Sequence, residues 1–386
     1  MRLSMATKRQ IIEKQKDAYR RAPKSRKSEI LTILEETTGL SRGHLSRVLR
    51  DPYRYKKKAV RPGRGRKPIY GMAHKELLAY VWALLSFPSS RRLKAALPDA
   101  LDNLEMHGYR TLTQEFKAQM LRMSHGTMDR LLKHDRRKLR PFGRSTTKPG
   151  SLLKSQIPIR RGTDWDDAVP GFVEVDLVAH CGSSTKGEFV FTLDCTDIAS
   201  GWTECRAILN KARTHTLAAM KDINRELPFP LRGIDSDNGS EFINHHFLYY
   251  CMENDLCFTR SRANHSNDSC YVEQKNWSVI RKEVGYGRFE GQESVTLLNR
   301  FYDSHSLVNN FFMTSQKLLD RQRLGSRVVK KHDAALSPFR RLLQDPSVEA
   351  SVKLKLQETF LSLDLVKLNQ EKAALLEQID LLCLGY

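Results

Sequence analysis

Three stretches decide the fold: GFVEVDLVAHC (171–181), LRGIDSDNGSEF (231–242) and NDSCYVEQKNWSVIRKEV (267–284). The first reads as a β-strand, and FVFTLDCTD (189–197) and WTECRAIL (202–209) follow it across short connections. Short connections between strands predict an antiparallel meander. An amphipathic helix is expected over 213–227, then a short fourth strand ending at Asp237-Asn238-Gly239. A helix over 241–254, a strand over 256–261 and a helix over 267–284 complete the order. Such an order predicts an α/β domain: a mixed five-stranded sheet flanked by helices.

Three acids stand out on this frame: Asp176 in mid-strand, Asp237 at a strand end beside an Asn-Gly turn, and Glu273 on the following helix. Hard divalent cations take oxygen ligands, and Mg²⁺ is held by one or two carboxylates with phosphate and water. Two such ions clamp the attacking and leaving oxygens of an in-line displacement. Asn276, Trp277 and Ile280 share the helical face of Glu273, at i+3, i+4 and i+7. Asn276 is expected near the metals and DNA, while Trp277 and Ile280 are expected to pack. Lys275, Arg281 and Lys282 suit phosphate contacts. Glu174 and Asp235 lie two residues before Asp176 and Asp237 on the same strand faces, as outer-shell candidates. Asp194, Asp197 and His180 read as structural groups close by.

The last two acids are separated by 35 residues. With the DNGSEF box and the helix VEQKNWSVIRKEVGY, this spacing resembles the D,D,35,E core of bacterial insertion-sequence DDE transposases and retroviral integrases. KKHDAALSPFRRLL (330–343) is similar to the region that follows the core in such transposases. The resemblance covers about residues 170–290. It implies a ribonuclease-H-like catalytic core with Asp176, Asp237 and Glu273 as catalytic and metal-binding residues. Two Mg²⁺ ions, with Mn²⁺ as a substitute, are the implied cofactors. The implied activity is DNA strand cleavage and strand transfer on a synaptic homo-oligomer, with element terminal repeats and target DNA as double-stranded DNA partners. The His/Cys zinc module of retroviral integrases is missing, which favours the bacterial branch.

Outward from this core, charge is distributed unevenly. Residues 1–150 hold 36 Lys and Arg against 13 Asp and Glu, whereas the remainder holds 29 against 31. Clustered positive charge is the footprint of a polyanion binder. SEILTILEETTGLSRGHLSRVLRD (28–51) predicts two helices around Gly39, with Ile30, Ile33 and Leu34 inward on the first and Ser41 capping the second. Leu45, Val48 and Leu49 are expected inside, and Arg42, His44, Arg47 and Arg50 outside, as a helix-turn-helix requires. A Gly/Pro-interleaved basic run then supplies Arg61, Arg64, Arg66 and Lys67 for phosphate or minor-groove contact. Further helices follow, one interrupted at Pro98. SHGTMDRLLKHDRRKLRP (124–141) resembles a second recognition helix, with Ser124 capping, Met128, Leu131 and Leu132 inward, and Thr127, Arg130 and Lys133 outward.

The resulting organisation is a helix-turn-helix module (1–55), a basic linker (56–72), a second helical DNA-binding module (73–142), a linker (143–170), the catalytic core (171–312) and a basic, helical C-terminal region (313–386). The seven cysteines are scattered without a CxxC pair, which argues against a zinc site and for a reducing compartment. The longest apolar run, LLAYVWALLSF (77–87), is too short to span a bilayer. A cytoplasmic, nucleoid-associated bacterial enzyme without a membrane partner is expected. Two other readings stay open: an inactive, transposase-derived DNA-binding regulator, and a structure-specific metal-dependent nuclease.

Overall fold

The computed structural model describes residues 3–51, 69–138, 169–237, 239–260, 272, 275–324 and 326–385. The chain divides into two compact units, Met1–Ile69 and Tyr70–Tyr386.

The first unit packs three helices, α1 (Met5–Arg21), α2 (Lys24–Thr38) and α3 (Arg42–Arg50). Its core is Ile12, Tyr19, Ile30, Leu31, Leu34, Leu45, Val48 and Leu49. Gly39 closes α2 in the left-handed region at φ +65°, where a glycine costs least. Two details differ from the sequence expectation. Ile33 is exposed and Leu31 is buried instead, because the buried stripe of α2 runs through 30, 31, 34 and 38. Ser41 stands at the N-cap position but makes no side-chain cap bond. Glu35 Oε1 does that work, accepting the Arg42 N–H at 3.0 Å.

The second unit is built on a five-stranded sheet of order β3-β2-β1-β4-β5. Its strands are β1 (Phe172–Ala179), β2 (Phe191–Asp197), β3 (Thr203–Ile208), β4 (Gly233–Ser236) and β5 (Cys257–Arg260). The first three are antiparallel, and β4 and β5 run parallel to β1. The expected mixed, ribonuclease-H-like sheet is therefore present. Alternation along β1 divides the two faces. Val173, Val175 and Leu177 join Leu193, Ile234 and Phe258 beneath α9 (Arg213–Glu226) and α10 (His245–Glu253). On the other face, Val178, Cys205 and Ala207 meet α11, a π-helix (Asn276–Arg281), α12 (Lys282–Val284) and α13 (Gly291–Phe311).

Residues 72–138 do not form a core of their own. They fold as α4 (Met72–Leu84), α5 (Ser90–Met106), α6 (Gln114–Arg122), α7 (His125–Leu131) and α8 (Lys133–Lys138). Leu93, Leu97, Leu101 and Leu104 of α5 share one apolar cluster with Phe311, Phe312, Phe339, Leu342, Leu363 and Leu365. Pro98 lies inside α5 without breaking it, since buried leucines on either side hold the helix. The C-terminal region adds a hairpin, β6 (Leu318–Leu324) with β7 (Arg327–His332), then α14 (Pro338–Gln344), α15 (Ala350–Ser362) and α16 (Leu365–Leu381). The helical tail is divided into α15 and α16, and Asp364 caps α16 by accepting the Val366 and Lys367 N–H groups. Arg340 of α14 forms a bidentate pair with Asp99 of α5, at 3.1 and 2.5 Å. The 330–343 motif thus fastens the tail to the N-terminal helices of the same unit. No described helix is long and apolar enough to cross a membrane.

Two buried histidines contribute to the acid sensitivity of this unit. His180 and His305 are buried, and burial lowers each to about 3. The unfolded chain takes up these protons near pH 6.5, so it binds more protons than the native state between about 6.5 and 3, and stability falls as pH drops through that window. His305→Leu, which keeps the stacking site beside Phe301 filled, is expected to flatten this acid limb. Thermal unfolding from pH 7 to pH 4 measures it.

Candidate active site

Strand register brings the acids together. Glu174 stands opposite Asp235 and Val175 opposite Ser236 in the parallel β1–β4 pair. Continuing that register by one residue places Asp237, the first residue after β4, beside Asp176. On the other side, Asp176 pairs with Asp194 of β2. Glu174, Asp176, Asp194 and Asp235 all lie on the face covered by α11. Such crowding of carboxylates raises their cost of ionisation unless cations lie near.

Each acid is held differently. Asp176 Oδ1 accepts the Leu177 N–H at 2.8 Å, and Oδ2 accepts Asn276 Nδ2 at 2.6 Å. Asp237 Oδ1 accepts the Gly239 N–H at 2.8 Å, an Asx-type turn that fixes the side chain. Burial raises the Asp237 carboxyl above its ordinary range. Asp194 is fully buried, which pushes it up to about 8. The nearby Lys275 amine is lowered by burial to about 8, with Asp194 acting in the opposite direction. Glu174 Oε2 accepts the Val272 N–H at 3.1 Å, and Asp235 accepts the Thr259 hydroxyl at 2.5 Å. Both therefore brace the elements that carry the site.

The donor set suits a hard cation. Asp194 Oδ2 and Asn276 Oδ1, on either side of Asp176, are buried with no hydrogen-bond donor among the described residues. Oxygen atoms in that condition are ready acceptors for a divalent ion or its water shell. Among the described residues no three His, Cys, Asp or Glu side chains form a metal-holding group. Glu273 lies outside the described residues.

Comparisons with known proteins follow this geometry. Residues 166–266 match the integrase core domain family. The uncharacterized protein y4rM of Sinorhizobium fredii is 39% identical over 344 residues, covering 88% of this chain and 96% of that protein. The chain belongs to one family with y4rM and carries an integrase core domain. Solved structures with similarity include the HTLV-2 integrase catalytic core domain in complex with magnesium, at 16% identity and TM-score 0.28, covering 38% of this chain and 91% of that one. The BIV integrase catalytic core domain matches at 16% identity and TM-score 0.24, over 30% of this chain and 68% of that one. The simian T-cell lymphotropic virus intasome matches at 16% identity and TM-score 0.27, over 47% and 59%.

In this integrase-core protein the remaining expected residues fall into three groups. Asn276 reaches the site, as its spacing indicated. Arg281 and Lys282 do not face outward. Arg281 donates to the Ala179 carbonyl at 2.7 Å and lies over the Tyr286 ring, and Lys282 donates to the Ser86 carbonyl. Both serve the fold. Trp277, expected to pack, is 50% exposed, while Ile280 is buried. The cause is the π-helical turn at 276–281, which departs from the 3.6-residue period used to phase that face.

The basic residues of the helical segments divide similarly. Arg47 and Arg50 are exposed on α3, and His44 is half-buried. Arg42 is not free to face outward, because its guanidinium donates to Thr32 Oγ1, Ser28 O and Ser28 Oγ on α2. Ser124 caps α7 as expected, and Met128 and Leu132 are buried. Arg130 and Lys133 are exposed, and Thr127 is half-buried with its hydroxyl accepting from Arg130 at 3.0 Å. Arg61, Arg64, Arg66 and Lys67 lie outside the described residues. Asp194 stands across the β1–β2 hairpin from Asp176, close by as expected, and Lys275, expected at phosphate, is instead held in the buried charge cluster beside Asp194.

Proposed function

We propose that the protein is a DNA transposase that binds element ends, cleaves a strand and transfers it to target DNA, with Asp176, Asp237 and Glu273 as the reactive carboxylates. The observation that carries this reading is the parallel register that sets Asp237 beside Asp176 in an integrase core, with Asn276 holding one oxygen of Asp176. Mg²⁺ ions held by these carboxylates would supply charge neutralisation at the reacting phosphate and activation of the attacking hydroxyl. The chain's own residues supply the geometry. Asn276 fixes the Asp176 rotamer, the Gly239 N–H fixes Asp237, and Lys275 offsets the buried negative charge of the face. Because the positive charge is concentrated in residues 1–150, we assign DNA capture to that part of a protein that acts as a homo-oligomer on DNA in the bacterial cytoplasm.

Incubating the protein with Mg²⁺ or Mn²⁺, labelled element-end DNA and a plasmid tests the activity. Joined product is expected. Nicking without joining favours the nuclease, and binding without either favours the regulator. The DNA-capture assignment has a separate expected result. Arg47→Ala and Arg50→Ala should each lower the slope of log affinity against log salt by about 1, and weaken binding uniformly across sequences. Fluorescence anisotropy between 50 and 200 mM salt (on the order of the range where phosphate contacts dominate) measures this.

A further inference from the structure

One wall of an aromatic and cationic cavity directly follows, along α11, the asparagine that holds Asp176. This cavity of about 270 Å³ is lined by Phe87, Arg92, Trp277, Lys282 and Met313, among others. Its walls come from three parts of the unit that are distant in sequence: the α4–α5 connection with the start of α5, the helical turns over 277–282, and Met313 and Thr314 after α13. Trp277 is 50% exposed and Phe87 is 42% exposed. Trp277 directly follows Asn276, whose amide holds Asp176, so their Cα atoms are about 3.8 Å apart. Arg92 is close enough for its charge to act on Lys275, the residue that precedes Asn276.

The α4–α5 connection is built to present Phe87. Ser86 and Phe87 both adopt left-handed backbone, at φ 53° and 59°. That region is uncommon for residues other than glycine, and unusual for an aromatic. Several bonds hold it there: Phe87 N–H to Trp82 O at 2.8 Å, Trp82 Nε1 to Pro88 O at 2.9 Å, and Lys282 Nζ to Ser86 O. The Phe87 ring also meets Trp82 edge-on at 5.0 Å. A large apolar ring held partly in solvent, lining the same basic cavity as an exposed tryptophan, suits a flat ring attached to an anion.

We propose that this cavity receives one unstacked nucleobase of the DNA strand processed at Asp176, its ring against Trp277 and Phe87 and its phosphate toward Arg92. Exposed aromatics beside cations are the usual means of holding unpaired bases, and they accept any base because every base has a π-face. The cavity is just under the roughly 300 Å³ at which ordinary small-molecule clefts begin, which fits one base rather than a larger ligand. This inference rests on the DNA-processing reading of the same site.

The test compares a fully paired duplex with a forked duplex of equal length that ends in unpaired bases, measured by anisotropy with the full chain. The unaltered protein is expected to bind the fork about tenfold more tightly, in line with the stacking of one base. Trp277→Ala and Phe87→Ala should each remove that preference, and Trp277→Phe should keep it. Replacing the unpaired nucleotides by abasic sites should remove it for the unaltered protein. A preference that survives in Trp277→Ala and Phe87→Ala, or an abasic fork bound as tightly as the normal one, overturns the proposal. If the unaltered protein binds both DNAs equally, the cavity assignment alone fails. If it binds neither, the DNA-processing reading fails and the cavity assignment with it.

Discussion

Asn103→Ala is expected to destabilise the larger unit by about 1–3 kcal/mol, as the buried Leu365 N–H loses its acceptor while the Leu363 carbonyl keeps only His107 Nε2. Asn103 is buried on α5. Its Nδ2 donates to the Leu363 carbonyl at 2.7 Å, and its Oδ1 accepts the Leu365 N–H at 3.0 Å. These bonds close the break between α15 and α16, where the Leu365 N–H would otherwise lack an acceptor in an apolar cluster. An exposed asparagine on a free-standing DNA-binding module would cost almost nothing to replace. The substitution therefore asks whether residues 72–138 are integral to the unit that carries the carboxylates. Urea unfolding followed by tryptophan fluorescence reads it, since Trp82 and Trp202 lie in the same cluster. An unchanged midpoint would contradict the shared core.

Much of this architecture was legible in the sequence, and the gaps have physical causes. Strand alternation and short connections gave the sheet, and the period of α3 gave its buried face of Leu45, Val48 and Leu49. Asp176 and Asn276 were legible because a strand centre and a helical phase each fix a direction. The second helical module was misjudged because charge and spacing report what a helix exposes, and say nothing of what its apolar face covers. Leu97 and Leu104 look the same in a separate bundle as against Phe339. Arg42 and Arg281 turn inward because each guanidinium reaches acceptors on a neighbouring element, Ser28 and Thr32 of α2 for Arg42 and the Ala179 carbonyl of β1 for Arg281. Trp277 was misphased because a π-helical turn leaves no mark in hydrophobic spacing.

Asp176→Asn is expected to abolish strand joining, by about 10³-fold or more. The change keeps the size of the side chain but removes the anion, and with it the charge that a divalent ion requires. Loss of one such ligand is worth several kcal/mol of transition-state stabilisation, and each 1.36 kcal/mol is about tenfold in rate. Affinity for DNA should persist, because Arg47 and Arg50 are on the other compact unit. Asn276→Ala should fall between the unaltered protein and Asp176→Asn, since it removes one donor to Asp176 without removing charge. The most direct measurement sets the unaltered protein and Asp176→Asn side by side, with Mg²⁺, end-labelled DNA and a plasmid, and scores label covalently joined to the plasmid. Joined label with the unaltered protein alone, at equal DNA binding by both, is the expected result; joined label with Asp176→Asn would contradict the assignment of this site.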